Sequence, residues 1–588
     1  MINKFQNSEE FKSTKINPLA KFWKLVALEK VEIVNIYAFA ALSGLIYLSL
    51  PLGIQSIINY LYSGLISTSL VVLIFIVILG VFANGWLQII QMKIIERISR
   101  RVFTRFSMAY AAKIPKLDLA SIDNNYLPEL VNRFFDTATL QKGISKILLE
   151  FPTAMVQILF GLALLAAYNP NFLVVSLLVT LLIYLIMRFT YPKGMATSIE
   201  ESNYKYEVGY WLEELGRTIK SFKFMGVYHY PLIKTDGLVS SYLDSREDHF
   251  RILKIQYWSF IFFKVIISAA LLILGVVLII DEQINLGQFI AAEIIILTII
   301  NSIEKLIGSL DVVYDMLTAL EKVSGILEKP EEKDQSKLLI DEKLENGMSI
   351  KLENLSFSFD YNNPVNVLNN ISLTINSGEK ICIFGSEGSG KTTILKMLTG
   401  AYTNFDGQIL INDLPIGNYN LQKLRQNIGI YLDSPDLFSG TLYENLTMGN
   451  EYILPKTILN TAKETGLINY IQTLPNGLDT NVNSIGKNLA KNIVTKILIT
   501  RALLTNPKLL LLEDCWSNLE NFQQELIIKN ITSFDKKYTL IAVTNDETFA
   551  SQCDKILLLE KGNIIRFGTF KEISNTIEYK NMFKNFSK

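Results

Sequence analysis

One glycine-rich segment of the sequence has the residue types and the spacing of a phosphate-binding loop. It consists of Gly385, Ser386, Glu387, Gly388, Ser389, Gly390, Lys391, Thr392 and Thr393. The segment fits the pattern G-x-x-x-x-G-K-[ST], in which backbone N–H groups surround phosphates and the lysine supplies a positive charge. Thr392 offers a hydroxyl to Mg²⁺, and a helix that begins here aims its N-terminus at the anion. The sequence therefore predicts a site for ATP with Mg²⁺.

A second segment supplies the carboxylates that such a site needs. Four leucines at 509–512 are followed directly by Glu513 and Asp514. Nucleotide-hydrolysing sites place a metal-binding acid and a water-orienting residue close to the phosphates. We therefore expect Glu513 to assist Thr392 at Mg²⁺, and Asp514 to orient the attacking water.

Strands and helices must hold these residues together. Residues 380–384 form a short apolar run before the glycine-rich loop, and residues 393–398 continue it with helical composition. Alternation of such segments predicts an α/β domain with a mostly parallel sheet, which we place at residues 349–588. Residues 326–348 are dense in charged residues and predict a solvated linker.

The first 325 residues are dominated by long apolar runs. A membrane-spanning helix needs roughly 20 predominantly apolar residues. Six stretches reach or approach this length, namely residues 33–52, 70–90, 151–167, 172–187, 258–280 and 284–303. The predicted fold is thus an α-helical transmembrane domain of six helices at residues 1–325, followed by the α/β P-loop domain.

The distribution of lysine and arginine predicts the orientation in the membrane. The three links between paired spans carry no lysine or arginine, whereas the N-terminus and the segments 93–146 and 188–254 are rich in both. Basic loops stay in the cytosol, so both termini and the ATP domain are expected to be cytoplasmic. The two long inner segments have helical spacing and predict membrane helices that extend into the cytosol; two small soluble insertions are the alternative. With a net charge of zero and no long basic block, we expect no nucleic-acid partner.

Charged residues within the spans suggest a function, because such residues are rare in membrane helices. Lys264 lies in the fifth span, and Glu293, Asn301 and Glu304 follow helical spacing in and after the sixth. By depth, Lys264 is expected between the two glutamates. Either these residues face a water-filled pathway, or they form a structural ion pair.

Together the motifs resemble one family. Four segments are similar to an ABC ATPase domain, namely residues 385–393, 436–445, 509–520 and 555–568. Six helices fused before such a domain resemble the exporter-type half-transporters, and residues 286–291 are similar to the start of the sixth helix in peptide and toxin exporters. The resemblance implies a dimer that holds two ATP molecules between facing ATPase domains, with alternating access of a central cavity. It also implies that Phe359 stacks on adenine.

The sequence departs from the family pattern in four motifs. The glutamine of the Q-loop corresponds to Asp433, which we still expect to assist Mg²⁺ binding, and the signature Leu-Ser-Gly-Gly-Gln corresponds to residues 489–493, Leu-Ala-Lys-Asn-Ile. The Asp-Glu pair appears reversed as Glu513 and Asp514, and the switch histidine corresponds to Asn545. Asn545 can hydrogen-bond to a γ-phosphate but carries no charge. The chain's two histidines, His229 and His249, are expected at the surface.

These observations predict a subunit of an ATP-dependent exporter in the plasma (inner) membrane, acting as a homodimer or a heterodimer. ATP binding should be intact and hydrolysis slow. A non-hydrolysing ATP-binding partner of another transporter subunit is the alternative. The cargo is not identified, although the sixth-helix likeness favours peptide. Residues 1–32 are too short for a peptidase domain, so we expect no leader cleavage by this chain.

Overall fold

The computed structural model describes residues 18–62, 68–123, 126–168, 171–332, 347–359, 365–432, 437–516, 518–533 and 535–580. The chain divides into two compact units. The first comprises Met1–Leu117 and Asn124–Pro330, and the second comprises Asp118–Asp123 and Glu331–Lys588.

The first unit is helical in all the elements that the structure describes. Its helices are α1 (Pro18–Ala27), α2 (Lys30–Tyr47), α3 (Ser49–Tyr62), α4 (Thr68–Lys113), α5 (Leu127–Asn132), α6 (Asp136–Tyr168), α7 (Asn171–Arg217), α8 (Ile219–Met225), α9 (His229–Ile280), α10 (Leu286–Gly308) and α11 (Leu310–Leu327).

Three of these helices are much longer than a bilayer requires. Helices α4, α7 and α9 contain 46, 47 and 52 residues. At 1.5 Å per residue the longest measures roughly 78 Å, against a hydrocarbon core of about 30 Å. The predicted extension of membrane helices is therefore confirmed, and the alternative of two small soluble insertions is wrong.

Five helical segments are long and apolar enough to cross a membrane within the described part of the chain. They are Lys30–Tyr62, Thr68–Lys116, Leu127–Tyr168, His229–Ile280 and Leu286–Leu327. The first four each contain one predicted span in full, and the fifth contains all but the first two residues of the span predicted at 284–303. The predicted fourth span, residues 172–187, lies in α7, but most of its side chains are outside the described residues. The chain is a multi-pass membrane protein.

The contacts of two polar residues in this unit bear on the sequence predictions. Lys264 forms an ion pair with Glu304, with 3.4 Å between Nζ and the carboxylate. His249 is completely buried instead of exposed. Its Nδ1 lies 2.9 Å from the Thr197 hydroxyl, and its ring packs edge-on against Tyr314. The parts of α7, α9 and α11 around His249 thus bury polar groups between themselves.

The second unit contains the strands and the remaining helices. The strands are β1 (Ile350–Phe357), β2 (Leu368–Ile375), β3 (Lys380–Gly385), β4 (Asp406–Ile411), β5 (Leu414–Pro415), β6 (Ile428–Tyr431), β7 (Gly440–Thr441), β8 (Asn481–Val482), β9 (Leu509–Glu513), β10 (Thr539–Val543), β11 (Lys555–Glu560) and β12 (Asn563–Gly568). The helices are α12 (Lys391–Leu398), α13 (Leu421–Gln426), α14 (Leu442–Thr447), α15 (Pro455–Glu464), α16 (Ile468–Thr473), α17 (Lys491–Leu504), α18 (Asn521–Ile531), α19 (Glu547–Ser551) and α20 (Phe570–Ile573).

The main sheet brings the candidate site together. Its six strands follow the order β12-β11-β3-β10-β9-β6, and all its pairings are parallel except that of β11 with β12. Every residue of β3 and β10 is buried, as expected for strands covered on both faces. Because β3, β9 and β10 are parallel neighbours, their carboxyl ends meet at one edge of the sheet. A separate antiparallel sheet has the order β2-β1-β4-β5.

Two short segments join this unit from outside the predicted ATP domain. Residues Asp118–Asp123 belong to it, and the carboxylate of Asp123 accepts a hydrogen bond from the Tyr402 hydroxyl at 3.0 Å. Glu332, at the start of the predicted linker, accepts two hydrogen bonds from Arg425 at 2.6 and 2.9 Å. Residues 333–346 of that linker lie outside the described residues.

Candidate nucleotide-binding site

The glycine-rich loop connects a buried strand to a helix, as the sequence predicts. Strand β3 lies between β11 and β10 and ends at Gly385, and α12 begins at Lys391. A Cβ on Gly385 would lie 2.1 Å from the carbonyl oxygen of Leu559 on β11. Glycine is therefore required where the loop leaves the sheet.

Two further glycines give the loop its curvature. Gly388 has φ +71° and Gly390 has φ +95°, a region of backbone conformation that residues with a Cβ rarely adopt. Gly390 is also crowded, since a Cβ there would lie 2.6 Å from Cδ2 of Leu368 and 2.9 Å from the carbonyl oxygen of Val367. The loop can therefore curl around a phosphate only with these residues.

The ammonium group of Lys391 lies inside the loop. Its Nζ donates hydrogen bonds to the carbonyl oxygens of Gly385 at 2.8 Å and of Ser386 at 2.7 Å. Burial lowers the pKa of Lys391, although the nearby Glu513, Glu387 and Asp514 act in the opposite direction. A cation with little water around it and its head within the loop is well placed for the phosphates of ATP.

The predicted pair of Mg²⁺ ligands is brought together. The Thr392 hydroxyl, in the first turn of α12, donates a hydrogen bond to the carboxylate of Glu513 at the end of β9. Mg²⁺ prefers oxygen ligands and keeps several waters, so one hydroxyl and one carboxylate beside the phosphates suit it. The third predicted ligand, Asp433, lies outside the described residues.

The two residues predicted to act on the γ-phosphate follow neighbouring strands. Glu513 and Val543 are partners in the β9–β10 ladder, so Asp514 and Asn545 both follow the same edge of the sheet. Asp514 has φ +40°, its N–H donates to the Val543 carbonyl at 2.8 Å, and its side chain is exposed. Asn545 is half-buried, and its buried amide oxygen has no hydrogen-bond partner in the described structure.

Phe359 lies two residues beyond the end of β1. Its ring is 53% exposed and packs edge-on against Phe357 and Tyr402, with ring centroids 4.9 and 5.6 Å apart. The Phe357 carbonyl accepts a hydrogen bond from the N–H of Val367, the residue whose carbonyl approaches Gly390. The chain around Phe359 is thereby tied to the phosphate loop, and one face of an aromatic ring remains open.

The residues at the family's signature position form the start of α17, on a different element from the loop. Ala490 is the N-cap and makes no side-chain capping bond. Lys491 is the first residue of the helix, and its side chain is exposed. The buried amide oxygen of Asn492 has no hydrogen-bond partner among the described residues. An uncapped helix start with a lysine suits an anion.

Two contributors to the site were missed in the sequence. The carbonyl of Val367 and the side chain of Leu368 pack against Gly390, and Asp123 bonds to Tyr402 beside Phe359. Neither has a local sequence signal, because their roles depend on residues that are distant in the chain. The crowding around Gly390 only becomes visible once β2 is placed beside the loop.

Comparisons with known proteins agree with this architecture. The family model described as ABC transporter matches residues 368–517, and the one described as ABC transporter transmembrane region matches residues 33–303. The transport/processing ATP-binding protein ComA of Streptococcus pneumoniae is 24% identical over 568 residues, which cover 95% of this chain and 77% of ComA. The alpha-hemolysin translocation ATP-binding protein HlyB of Escherichia coli is 30% identical over 302 residues, 51% of this chain and 42% of HlyB.

A solved structure shows the same fold. A structure of a bacterial Atm1-family ABC exporter with ATP bound superposes with a TM-score of 0.82 at 16% identity, and the match covers 96% of this chain and 99% of that one. The helical transmembrane region followed by an α/β ATPase domain is therefore confirmed as the fold. With two matching family models, a phosphate loop on a parallel sheet and several membrane-spanning helices, the chain belongs to the ABC transporters.

Proposed function

We propose that this chain is one subunit of an ATP-driven exporter that moves peptide or protein cargo out of the cytoplasm and hydrolyses ATP slowly. The observation that supports it best is the position of Lys391 and Thr392 in a curled phosphate loop, beside Glu513, in a chain that also spans the membrane. The cargo class is supported by the similarity to ComA and HlyB, which are named for transport or translocation.

ATP would be held by the loop from Gly385 to Thr393 and by the ring of Phe359. Mg²⁺, when bound, supplies positive charge that screens the phosphate oxygens. Thr392 and Glu513 are the described residues that fit it, since they offer oxygen atoms next to the loop. Asp433 remains a proposed third ligand. Binding of the nucleotide thus needs only groups that this chain possesses.

Slow turnover follows from the groups that would act on the γ-phosphate. Asp514 is one methylene shorter than the family's glutamate, and a displacement of about 1 Å can reduce a rate roughly 100-fold. Asn545 can form a hydrogen bond but cannot supply the charge of a protonated histidine. Its buried amide oxygen has no hydrogen-bond partner among the described residues, so no neighbour fixes that oxygen there. ATP would therefore stay bound for long periods.

A dimer is supported by exposed apolar residues outside the membrane spans. Phe224 and Met225, at the end of α8, are 81% and 77% exposed. Exposed apolar clusters on a soluble surface usually mark a protein interface. We propose that the partner is a second copy or a related half-transporter, with both termini and the ATPase unit in the cytoplasm of a plasma (inner) membrane.

Both a slow translocase and a non-hydrolysing partner subunit agree with these substitutions. The reversed carboxylates and the altered signature are the features that favour the non-hydrolysing partner subunit, because an ordinary ATPase site has neither. In a dimer, each ATP site would join one chain's loop to the other chain's signature, so a homodimer has both sets of substitutions at both sites.

ATP turnover of the purified chain tests the proposal. We expect a rate below the range of roughly 1–10³ s⁻¹ that is typical of enzymes, abolished by Asp514→Ala while ATP still binds. Binding with no turnover in either protein would favour the partner subunit. Turnover within the typical range would contradict slow hydrolysis, and absence of ATP binding would overturn the proposal.

A rescue series identifies which substitutions limit the rate. Restoring the signature alone, by Ala490→Ser with Lys491→Gly and Asn492→Gly, should raise turnover little. Adding Asp514→Glu and Asn545→His should give the large gain, because the groups that face the γ-phosphate are then complete. A large gain from the signature alone would show that Asp514 and Asn545 do not limit hydrolysis.

A further inference from the structure

A small cavity lies between α9 and α10, within their apolar stretches. Its volume is about 70 Å³, and apolar side chains form most of its wall, among them Leu272, Phe289, Ile296 and Leu297. One carboxylate, that of Glu293, and the Ser268 hydroxyl also line it. Since a water molecule needs about 10–15 Å³ by this measure, the cavity has room for roughly five waters or for the head of one side chain.

A glycine allows the cavity wall to form. A Cβ on Gly275 would lie 2.6 Å from the ring of Phe289, so the ring of α10 rests directly on the backbone of α9. Glu293 lies one turn further along α10 and shares the cavity with Phe289. The carboxylate is thereby placed beside a rigid apolar surface.

Glu293 has no ion-pair or hydrogen-bond partner among the residues that the structure describes. The two other charged residues of the predicted stripe, Lys264 and Glu304, bond to each other. Lys264 bonds to Glu304 at 3.4 Å. Glu304 is eleven residues beyond Glu293, roughly 16 Å along the helix. Lys264 is therefore paired near the other end of α10, away from Glu293. A charged carboxylate within a bilayer is costly unless it meets water or a cation. Glu293 therefore needs water or a cation that the described residues do not supply.

The exposed side of α10 shows where that partner would come from. Glu293, Leu297, Asn301 and Glu304 are exposed at helical spacing, whereas Ala291, Ile295, Ile299 and Ile303 are buried against the chain's own helices. Apart from Leu297 these exposed residues are polar, and their stripe lies on the side of α10 where α9 contributes Lys264 and part of the cavity wall. With Lys264 and Glu304 neutralising each other, Glu293 leaves one uncompensated negative charge on the stripe.

We propose that the cavity at Glu293 is a recognition subsite for a cationic side chain of the exported peptide. The carboxylate would accept hydrogen bonds from a lysine or arginine head, and the apolar wall would cover the methylene stem. The inference rests on the proposed function and adds to it a charge preference for the cargo.

Peptide binding to the purified full-length chain in phosphatidylcholine nanodiscs tests the subsite. The probes are dansyl-labelled nonapeptides of alanine, serine and leucine, acetylated and amidated, that differ only in a central lysine, norleucine or glutamate. The wild type should bind the lysine peptide roughly tenfold or more tightly than the norleucine peptide, the weight of one charge-assisted hydrogen bond. Glu293→Gln should remove this preference without lowering the affinity for the norleucine peptide.

Two further variants exclude trivial explanations. Glu282→Gln neutralises an exposed carboxylate in the turn between α9 and α10, outside the cavity lining, and should keep the preference. Glu293→Lys should transfer the preference to the glutamate peptide, a gain that misfolding cannot produce. The inference is overturned if the wild type shows no preference, or if Glu293→Gln retains it. A third result would also overturn it. If the wild type binds all three peptides equally and the Glu293 variants elute as monomers in size-exclusion chromatography, Glu293 pairs with a second copy of the chain.

Measuring ATP binding on the same nanodiscs separates this inference from the proposed function. Lys391→Ala should lose ATP and keep the peptide preference, because it lies in the other unit. A wild type that binds ATP without distinguishing the peptides refutes the subsite alone. A wild type that distinguishes the peptides but binds no ATP refutes the proposed function alone.

Discussion

The hydroxyl of Thr392 donates a hydrogen bond to the carboxylate of Glu513, across the gap between α12 and the end of β9. The two residues are 121 positions apart in the sequence. Their meeting follows from the parallel sheet, in which β10 alone separates β3 from β9. The hydrogen bond places two oxygen atoms side by side, and these are the oxygens that would hold a bound cation.

Thr392→Val should make ATP binding insensitive to Mg²⁺. The valine keeps the volume of threonine and removes only the hydroxyl, so affinity with Mg²⁺ should fall by roughly tenfold, and affinity in EDTA should change little. Titration calorimetry with and without Mg²⁺ measures both. Glu525→Gln, which neutralises an exposed carboxylate on α18, is the control and should behave as the wild type. An unchanged response to Mg²⁺ in Thr392→Val would contradict the assignment of this ligand.

ATP affinity should fall as the pH rises. The fall should begin at a lower pH than it would if Lys391 had the pKa of a solvent-exposed lysine. Burial lowers the pKa of Lys391 in the free protein, and only its protonated form attracts phosphate. Bound phosphates favour the charged ammonium, so the pKa of the free protein determines the alkaline loss of affinity, below the usual lysine value of about 10.4. Lys391→Met should bind ATP weakly and lack this pH dependence. A wild-type affinity that stays constant up to that value would be the contrary result.

Alanine substitutions at two loop glycines should differ in severity. Gly388→Ala meets no atom within 4 Å, so it costs only the strain of a positive φ, about 1–2 kcal/mol. Gly390→Ala adds an overlap with Leu368 and should cost about 2–4 kcal/mol in total. Thermal unfolding of the ATPase unit in the purified chain, together with ATP binding, ranks the two. Equal losses of stability in the two variants would mean that Leu368 shifts at little cost in free energy and relieves the crowding at Gly390.

The native cysteines make the orientation easy to test. Cys382, Cys515 and Cys553 are all buried, and burial raises the pKa of each thiol, so they should react slowly. The wild type therefore serves as an unlabelled control. A cysteine at Glu282, in the turn after α9, should react with a membrane-impermeant maleimide added to intact cells.

The matching inner position is Asp236, which is exposed near the start of α9. Asp236→Cys should react only after the cells are opened. Labelling of Asp236→Cys but not of Glu282→Cys in intact cells would reverse the proposed topology and separate the ATPase unit from cellular ATP.

Local sequence predicted the parts of the structure that depend on neighbouring residues. The phosphate loop is contiguous, so its glycines, Lys391 and Thr392 could be identified together. The approach of Glu513 was also predictable, because parallel strands end at one edge of the sheet and few positions there carry carboxylates. Long apolar runs gave the spans for the same reason, since a bilayer imposes a length that composition reveals.

Relationships that depend on helix rotation or distant packing could not be predicted. His249 has a polar neighbourhood in the sequence, yet α7, α9 and α11 enclose it completely. Lys264 could have approached either glutamate of α10 by depth alone, and side-chain direction selected Glu304. The separation of Glu293 from Lys264, which leaves the cavity carboxylate unpaired, became visible only in three dimensions.

The inclusion of Asp118–Asp123 in the ATPase unit has a consequence for biosynthesis. Asp123 and its hydrogen-bond partner Tyr402 are 279 residues apart. At a translation rate of about 5–20 residues per second, Tyr402 emerges roughly 15–55 s after Asp123. The short segment must wait, folded or not, while at least three membrane-spanning stretches are inserted. The contact between Asp123 and Tyr402 can therefore form only after the helices encoded between them have been made.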